Sequence, residues 1–235
     1  MSINTVLFDL DGTLLSLTQE SFVNAYFSRL AKKLIPYGYD SEKLIKAIWD
    51  GTVLMVKNDG KRTNEEVFWD HFVSVFGKRS LEHTPVFDDF YRNEFDEVKE
   101  VCSKNELAPK VIRVLKKKGK RIALATNPLF PPAATQARVR WAGLDASDFE
   151  LITTYDNSHY CKPNPDYYVE ILAKLGVNAD ECLMVGNDVG EDMIAQRLGM
   201  SVFLLTNDLI NKNNTDISVY PHGDFNALIR FIENI

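Results

Sequence analysis

Cysteine is scarce: Cys102, Cys161 and Cys182 are the only three in 235 residues. An odd number without paired spacing argues against a disulfide framework and fits reduced thiols, so the expected location is the cytoplasm. His159-Tyr160-Cys161 is the one place where a histidine and a cysteine stand close in the chain, a spacing that would suggest a metal pair. No second cluster at zinc-like spacing accompanies it, so it reads as an ordinary loop. Positive charge is also short, with 27 Lys and Arg against 33 Asp and Glu, a net charge of −6. That balance argues against nucleic acid or an anionic membrane as a general partner. No apolar run approaches the roughly 20 residues that span a bilayer. The first residues, Met1-Ser2-Ile3-Asn4-Thr5, lack a basic stretch followed by a long apolar one, so no secretory leader is expected. Repeats and low-complexity segments are missing too. What remains is an ordinary globular composition, 45% hydrophobic and 26% charged, long enough for one large domain or a core plus a smaller one.

The most informative stretch is Asp9-Leu10-Asp11-Gly12-Thr13-Leu14, directly after the apolar run Val6-Leu7-Phe8. A short apolar run that stops at two carboxylates and a glycine predicts a buried strand ending at a reactive loop. Residues i and i+2 of a strand project to one side, so Asp9 and Asp11 can converge on a small volume. Two carboxylates that close repel each other. A bound cation removes the repulsion and gives the pair a task, one attacking while the other handles protons.

Beyond that loop the pattern divides. Residues 3–10 read as a strand, and from about Ser16 to Glu106 the pattern is helical with no convincing strand. Val23, Phe27, Leu30 and Leu34 form one helical stripe, and Phe87, Phe90, Tyr91, Phe95 and Val98 another; both are expected to be helix-packing core. Asn64 is the expected N-cap of a helix carrying Phe68, Phe72, Val75 and Phe76. After about Leu107 helices and strands alternate. Strands are expected at Arg121–Ala125, Glu150–Thr153, Cys182–Gly186 and Ser201–Leu205, and helices at Pro109–Lys118, Pro132–Ala142, Pro165–Leu175, before Gly199 and around Phe225–Ile232. This alternation predicts an α/β fold, a doubly wound parallel Rossmann-like sheet with helices on both faces. Residues 1–15 and 107–235 would form that core, and 16–106 a second, smaller helical domain. In such sheets reactive groups gather at the carboxyl ends of the strands.

Three further loops fall at those ends. Thr126-Asn127-Pro128 follows a strand, and its hydroxyl and backbone N–H groups can hold phosphate oxygens. Lys162-Pro163-Asn164-Pro165 precedes a helix and can set a positive charge on a phosphate and on Asp9. Gly186-Asn187-Asp188-Val189-Gly190-Glu191-Asp192 offers hard oxygen ligands suited to Mg²⁺. Taken singly, a turn, a solvated lysine and an acid-rich helix start explain these as well.

Taken together, the order Asp-x-Asp, Thr, Lys and an acidic loop resembles the four motifs of the haloacid dehalogenase superfamily, across nearly the whole core. The helical stretch between the first two motifs resembles the cap of many members. The family's dehalogenases lack the second Asp and its phosphonate hydrolases usually carry Ala there, so Asp11 favours phosphate esters. The resemblance implies Mg²⁺ on the Asp9 carboxylate, the Asp11 backbone carbonyl and the Asp188 carboxylate. It further implies Asp9 as nucleophile, Asp11 as acid and base, and Thr126, Asn127 and Lys162 on the phosphate. Many members have Gly-Asp in the last motif, whereas here Asn187 follows Gly186, so Asn187 and Asp192 stand as helpers. The implied activity is a phosphatase for a small phosphorylated metabolite, monomeric by default. A phosphomutase of the β-phosphoglucomutase type shares every motif, and a non-catalytic phosphometabolite-binding protein is the alternative from another class. Tyr26, Arg29, Trp49, Lys57 and Arg62 are candidate substrate contacts in the insert.

Overall fold

The computed structural model describes residues 3–235; Met1 and Ser2 of the expected core segment lie outside it. Strand β1, Thr5–Phe8, is fully buried, which explains its unbroken apolar run. It pairs in parallel with β4, Arg121–Leu124, on one side and β6, Cys182–Gly186, on the other. Adding β5 (Leu151–Ile152), β7 (Ser201–Leu205) and β8 (His222–Gly223) completes a six-stranded sheet in the order β5-β4-β1-β6-β7-β8. Every pairing in it is parallel. The chain winds outward on both sides of β1, so the crevice of the fold opens at the carboxyl end of that strand.

Alternation along β1 sorts the two faces. Val6 and Phe8 join the larger core with helices α5 (Ala108–Lys117), α6 (Pro132–Trp141) and α8 (Phe225–Glu233). Leu7 joins a second cluster with α7 (Pro165–Leu175) and the 3₁₀ turn Met193–Leu198. Asn164 caps α7 through its side chain, Pro165 opens it and Gly176 closes it in the left-handed conformation, as the sequence predicts.

The helical insert holds α1 (Gln19–Leu34), α2 (Ser41–Val56), α3 (Asn64–Phe76) and α4 (Thr84–Arg92), followed by a 3₁₀ stretch over Glu94–Val101. It is entered and left through two strands that the sequence did not announce. β2 (Leu15–Leu17) pairs antiparallel with β3 (Cys102–Lys104), three residues each, too short to show alternation. A second correction concerns α3. Thr63, not Asn64, is its N-cap, in a reciprocal capping box with Glu66. Asn64 is the first helical residue and is fully buried. Its backbone N–H donates to Ser158 O at 2.9 Å and its side-chain amide to Pro128 O at 3.3 Å, tying the insert to two loops at the sheet's carboxyl edge. Apolar packing is continuous across this junction: Phe95 stacks on Trp141 at 5.1 Å, and the Trp141 indole N–H donates to Asp96 at 2.7 Å.

Candidate active site

Asp9 directly extends β1, its N–H donating to Val185 O at 2.9 Å. It is 8% exposed, and its two carboxylate oxygens are differently held. Oδ1 accepts from the Lys162 ammonium at 2.8 Å, and Oδ2 lies 3.1 Å from the Thr13 hydroxyl. Lys162 also donates to Asp192 Oδ1 at 2.7 Å. Lys162 and Asp192 are each 1% exposed, so an ammonium lies buried between two carboxylates. Burial alone disfavours its charge, but Asp192 and Asp9 outweigh burial and hold Lys162 protonated well above its usual range. Burial pushes Asp192 upward, with the Asp9 charge adding and Lys162 opposing.

Asp11 lies in the same crevice but has a cation of its own. Its Oδ2 pairs with the Arg138 guanidinium on α6, while Oδ1 is buried with no partner. Burial raises the Asp11 carboxyl above its usual range, Arg138 pulling it down and Asp9 pushing it further up. Arg138 is 1% exposed and packs its guanidinium 4.6 Å from the Phe130 ring centre. Sequence reasoning did not single it out, because Arg138 and the exposed Arg140 look alike in the text. The available signal was helical spacing, which sets Arg138 four residues after Ala134 and three before Trp141, both buried.

The other expected residues converge on this crevice. Thr126 is buried at the end of β4, and its carbonyl accepts from Thr153 at 2.6 Å and Tyr167 at 2.8 Å. Asn127 accepts from the Lys162 backbone N–H at 3.2 Å and donates to Glu191 at 3.2 Å, so it links the lysine loop to the acidic loop. The acidic loop divides its labour. Asp188 Oδ1 accepts from the N–H groups of Gly190 and Glu191 at 2.7 and 3.0 Å, a turn-closing arrangement. Asn187 Oδ1 faces the Thr13 hydroxyl at 2.9 Å, and its amide donates to Asp208 O at 2.6 Å. Asp192 holds Lys162 through Oδ1 and accepts from the Asp188 N–H through Oδ2 at 3.0 Å. Gly12 must be glycine: its φ is +83°, and a Cβ would come within 2.3 Å of the Asn187 amide.

Among the described residues, no three His, Cys, Asp or Glu side chains gather as a metal-holding group. Mg²⁺ seldom needs one, because it binds through one or two carboxylates with waters and phosphate oxygens. The donors lining the crevice are hard oxygens, including Asp9, Asp11, Asn187 and Asp188. The one ammonium of Lys162 is already shared by Asp9 and Asp192, so it leaves little positive charge for an approaching phosphate. The set therefore fits a bound Mg²⁺.

Asp9, Asp11, Thr126, Asn127, Asn187, Asp188 and Asp192 line one end of a cavity of about 690 Å³ that continues under the insert. Of the candidate insert contacts, Tyr26 and Trp49 line it. Arg29 pairs instead with Glu97 and Glu100, Arg62 pairs with Asp70, and Lys57 is exposed. The aromatic stripes are helix-packing core as expected, with Phe27 and Phe87 buried and Phe68 and Tyr91 packed against them, and these four also line the cavity.

Residues 3–199 match the haloacid dehalogenase-like hydrolase family. The chain belongs to that family, and the protein is a hydrolase of it. Its relatives include pyrophosphatase PpaX of Bacillus cereus (strain AH820), 26% identical over 199 residues, or 85% of this chain and 81% of that one. Among solved structures, an HAD phosphatase from Thermococcus onnurineus has a TM-score of 0.58 at 19% identity, covering 99% of this chain and 98% of that one. The HAD-hydrolase YfnB from Bacillus subtilis, described as bound to magnesium, gives 0.58 at 18% over all of both chains. Both share the fold.

Proposed function

We propose that the protein is a Mg²⁺-dependent phosphatase, working through a phosphorylated Asp9 on a small phosphorylated metabolite. The observation that carries this reading is the buried Lys162 ammonium shared by Asp9 and Asp192, two carboxylates that line the same cavity as Asp11. The phosphatase and pyrophosphatase names among its relatives support the same chemistry.

Asp9 attacks phosphorus, the ester P–O bond breaks, and Asp11 gives its proton to the departing alcohol oxygen. Asp11, now a carboxylate, takes a proton from water as that water attacks the phosphoryl group on Asp9. Inorganic phosphate leaves and Asp9 is regenerated. The burial that raises the Asp11 carboxyl suits it to hold the first proton. Thr126, Asn127 and Lys162 orient the transferring group and balance its charge. Asp9, the Asp11 carbonyl and Asp188, with Asn187 and Asp192 as helpers, would hold Mg²⁺, which supplies the positive charge that lets an anionic phosphate meet an anionic nucleophile.

Three free thiols, two of them buried, suit the cytoplasm, and a monomer is the assembly state assigned. The insert, residues 16–106 in this assignment, acts as the cap on the 1–15 and 107–235 core.

The test is phosphate release from a panel of phosphorylated metabolites, with Mg²⁺ and with chelator. Mg²⁺-dependent release of free phosphate is expected. An isomerised ester in its place would make the protein a mutase, and ligand binding without turnover would make it a sensor.

A further inference from the structure

The cavity wall contributed by the insert is mostly aromatic and aliphatic, with the polar uncharged Thr18, Gln19 and Thr52 among them. Phe22, Tyr26, Trp49, Phe68, Trp69 and Tyr91 line it. No lysine, arginine or histidine of the insert does so, and its one charged lining residue is the acid Asp88. The cations lining the cavity, Arg138 and Lys212, lie outside the insert, and Arg138 is already committed to Asp11. A second phosphate or a carboxylate on the substrate would enter this wall with no donor of positive charge, at a steep desolvation cost. An apolar or aromatic group would gain from burial there, and ring faces such as Tyr26 and Phe130, 5.4 Å apart edge to face, suit aromatic packing. At about 690 Å³ the cavity exceeds what a two- or three-carbon phosphate fills, and it lies in the usual range for a drug-sized ligand. Besides Thr18, Gln19, Thr52 and Asp88, the wall carries a pair of hydroxyls. The Tyr26 and Tyr91 hydroxyls are 2.7 Å apart, so one donates to the other and a single proton remains for an acceptor on a ligand.

Resting on the phosphatase reading for the reaction itself, we infer that the substrate is the phosphate monoester of a bulky, uncharged, largely aromatic or apolar alcohol. The phosphate sits against Asp9 and Lys162, and the alcohol moiety fills the cavity under the insert. Pyrophosphate and carboxylate-bearing phosphates are disfavoured by the same wall.

Calorimetric titration with two non-hydrolysable probes in Mg²⁺ separates the cases. 1-Naphthylmethylphosphonate should bind at least about tenfold more tightly than methylenediphosphonate, since burying one ring system outweighs that factor. Trp49→Ala should shrink the ratio; Trp49 is 42% exposed, so its truncation leaves the core packed. Methylenediphosphonate binding as tightly as the naphthyl probe, or a ratio indifferent to Trp49→Ala, would overturn the inference. Naphthyl binding with no phosphate release from 1-naphthyl phosphate would retain the cavity assignment and sink the phosphatase reading. Release from small polar phosphates without naphthyl preference would do the reverse.

Discussion

Lys162 shows how one side chain joins stability to chemistry. A fully buried ammonium is tolerated because two carboxylates face it, and it gives Asp9 a counter-charge before any substrate arrives. Lys162→Met would leave Asp9 and Asp192 buried without that charge, at a cost of about 3–5 kcal/mol. The sign with pH follows from the Asp192 carboxyl, which burial already raises. The deficit should be largest at mildly alkaline pH and shrink as the pH falls and Asp192 takes a proton, read as denaturation midpoints across pH. A deficit that does not vary with pH would refute the pairing. Asp9→Asn keeps the size of the side chain and removes the nucleophile. Phosphate release should fall by roughly 10³ or more while the melting curve changes little. The thiols give a check independent of catalysis. Burial raises Cys102 and Cys182 to about 11 and Cys161 further still. Alkylation should therefore be slow in the native protein near neutral pH, and unfolding should release all three thiols.

At the scale of elements, the parallel core was legible because its signals are local. Val6-Leu7-Phe8 and Cys182–Gly186 are unbroken apolar runs and form strands, and Asn164-Pro165 with Gly176 brackets α7 at its true ends. The elements that escaped are those whose stability comes from partners. β2, β3 and β8 have two or three residues each and exist only through pairing. The start of α3 is instructive, since Thr63 and Asn64 are both good capping types. Thr63 caps with Glu66 because Asn64 is drawn into contacts with Pro128 and Asn58. Thr63→Ala should cost about 1 kcal/mol in urea unfolding, with Thr63→Ser close to wild type. Equal costs for both variants would exclude the capping box as the cause.

For the whole molecule, the insert and the sheet share one apolar cluster in which Leu30 and Phe72 belong with Val6 and Phe203. Phe95 stands at the junction, fully buried against Trp141. Phe95→Ala should cost about 3–5 kcal/mol, and because the core is continuous, tryptophan fluorescence and far-UV circular dichroism should still melt together. Separate transitions in the wild type would show that the insert folds independently of the sheet.

The sequence by itself determined the α/β class, the central strand, and the loops that bring Asp9, Asp11, Thr126, Asn127, Lys162 and Asn187 to one edge of the sheet. The class and the strand follow from chain periodicity, a local property, whereas the loops were picked out by the order of four motifs that resembles the family's, since each taken singly has an ordinary structural explanation. The Lys162 charge on Asp9 was expected from the sequence, but the tertiary structure alone decided that Lys162 also meets Asp192 and that Arg138 meets Asp11. It also decided that Asp188 closes a turn while Asp192 faces the lysine. Those two pairs lie 30 and 127 residues apart along the chain, and no local pattern encodes a contact made only when helices and loops pack over the end of a sheet. The aromatic cavity belongs to the same class, because core and cavity rings share one helical spacing, and only packing separates them.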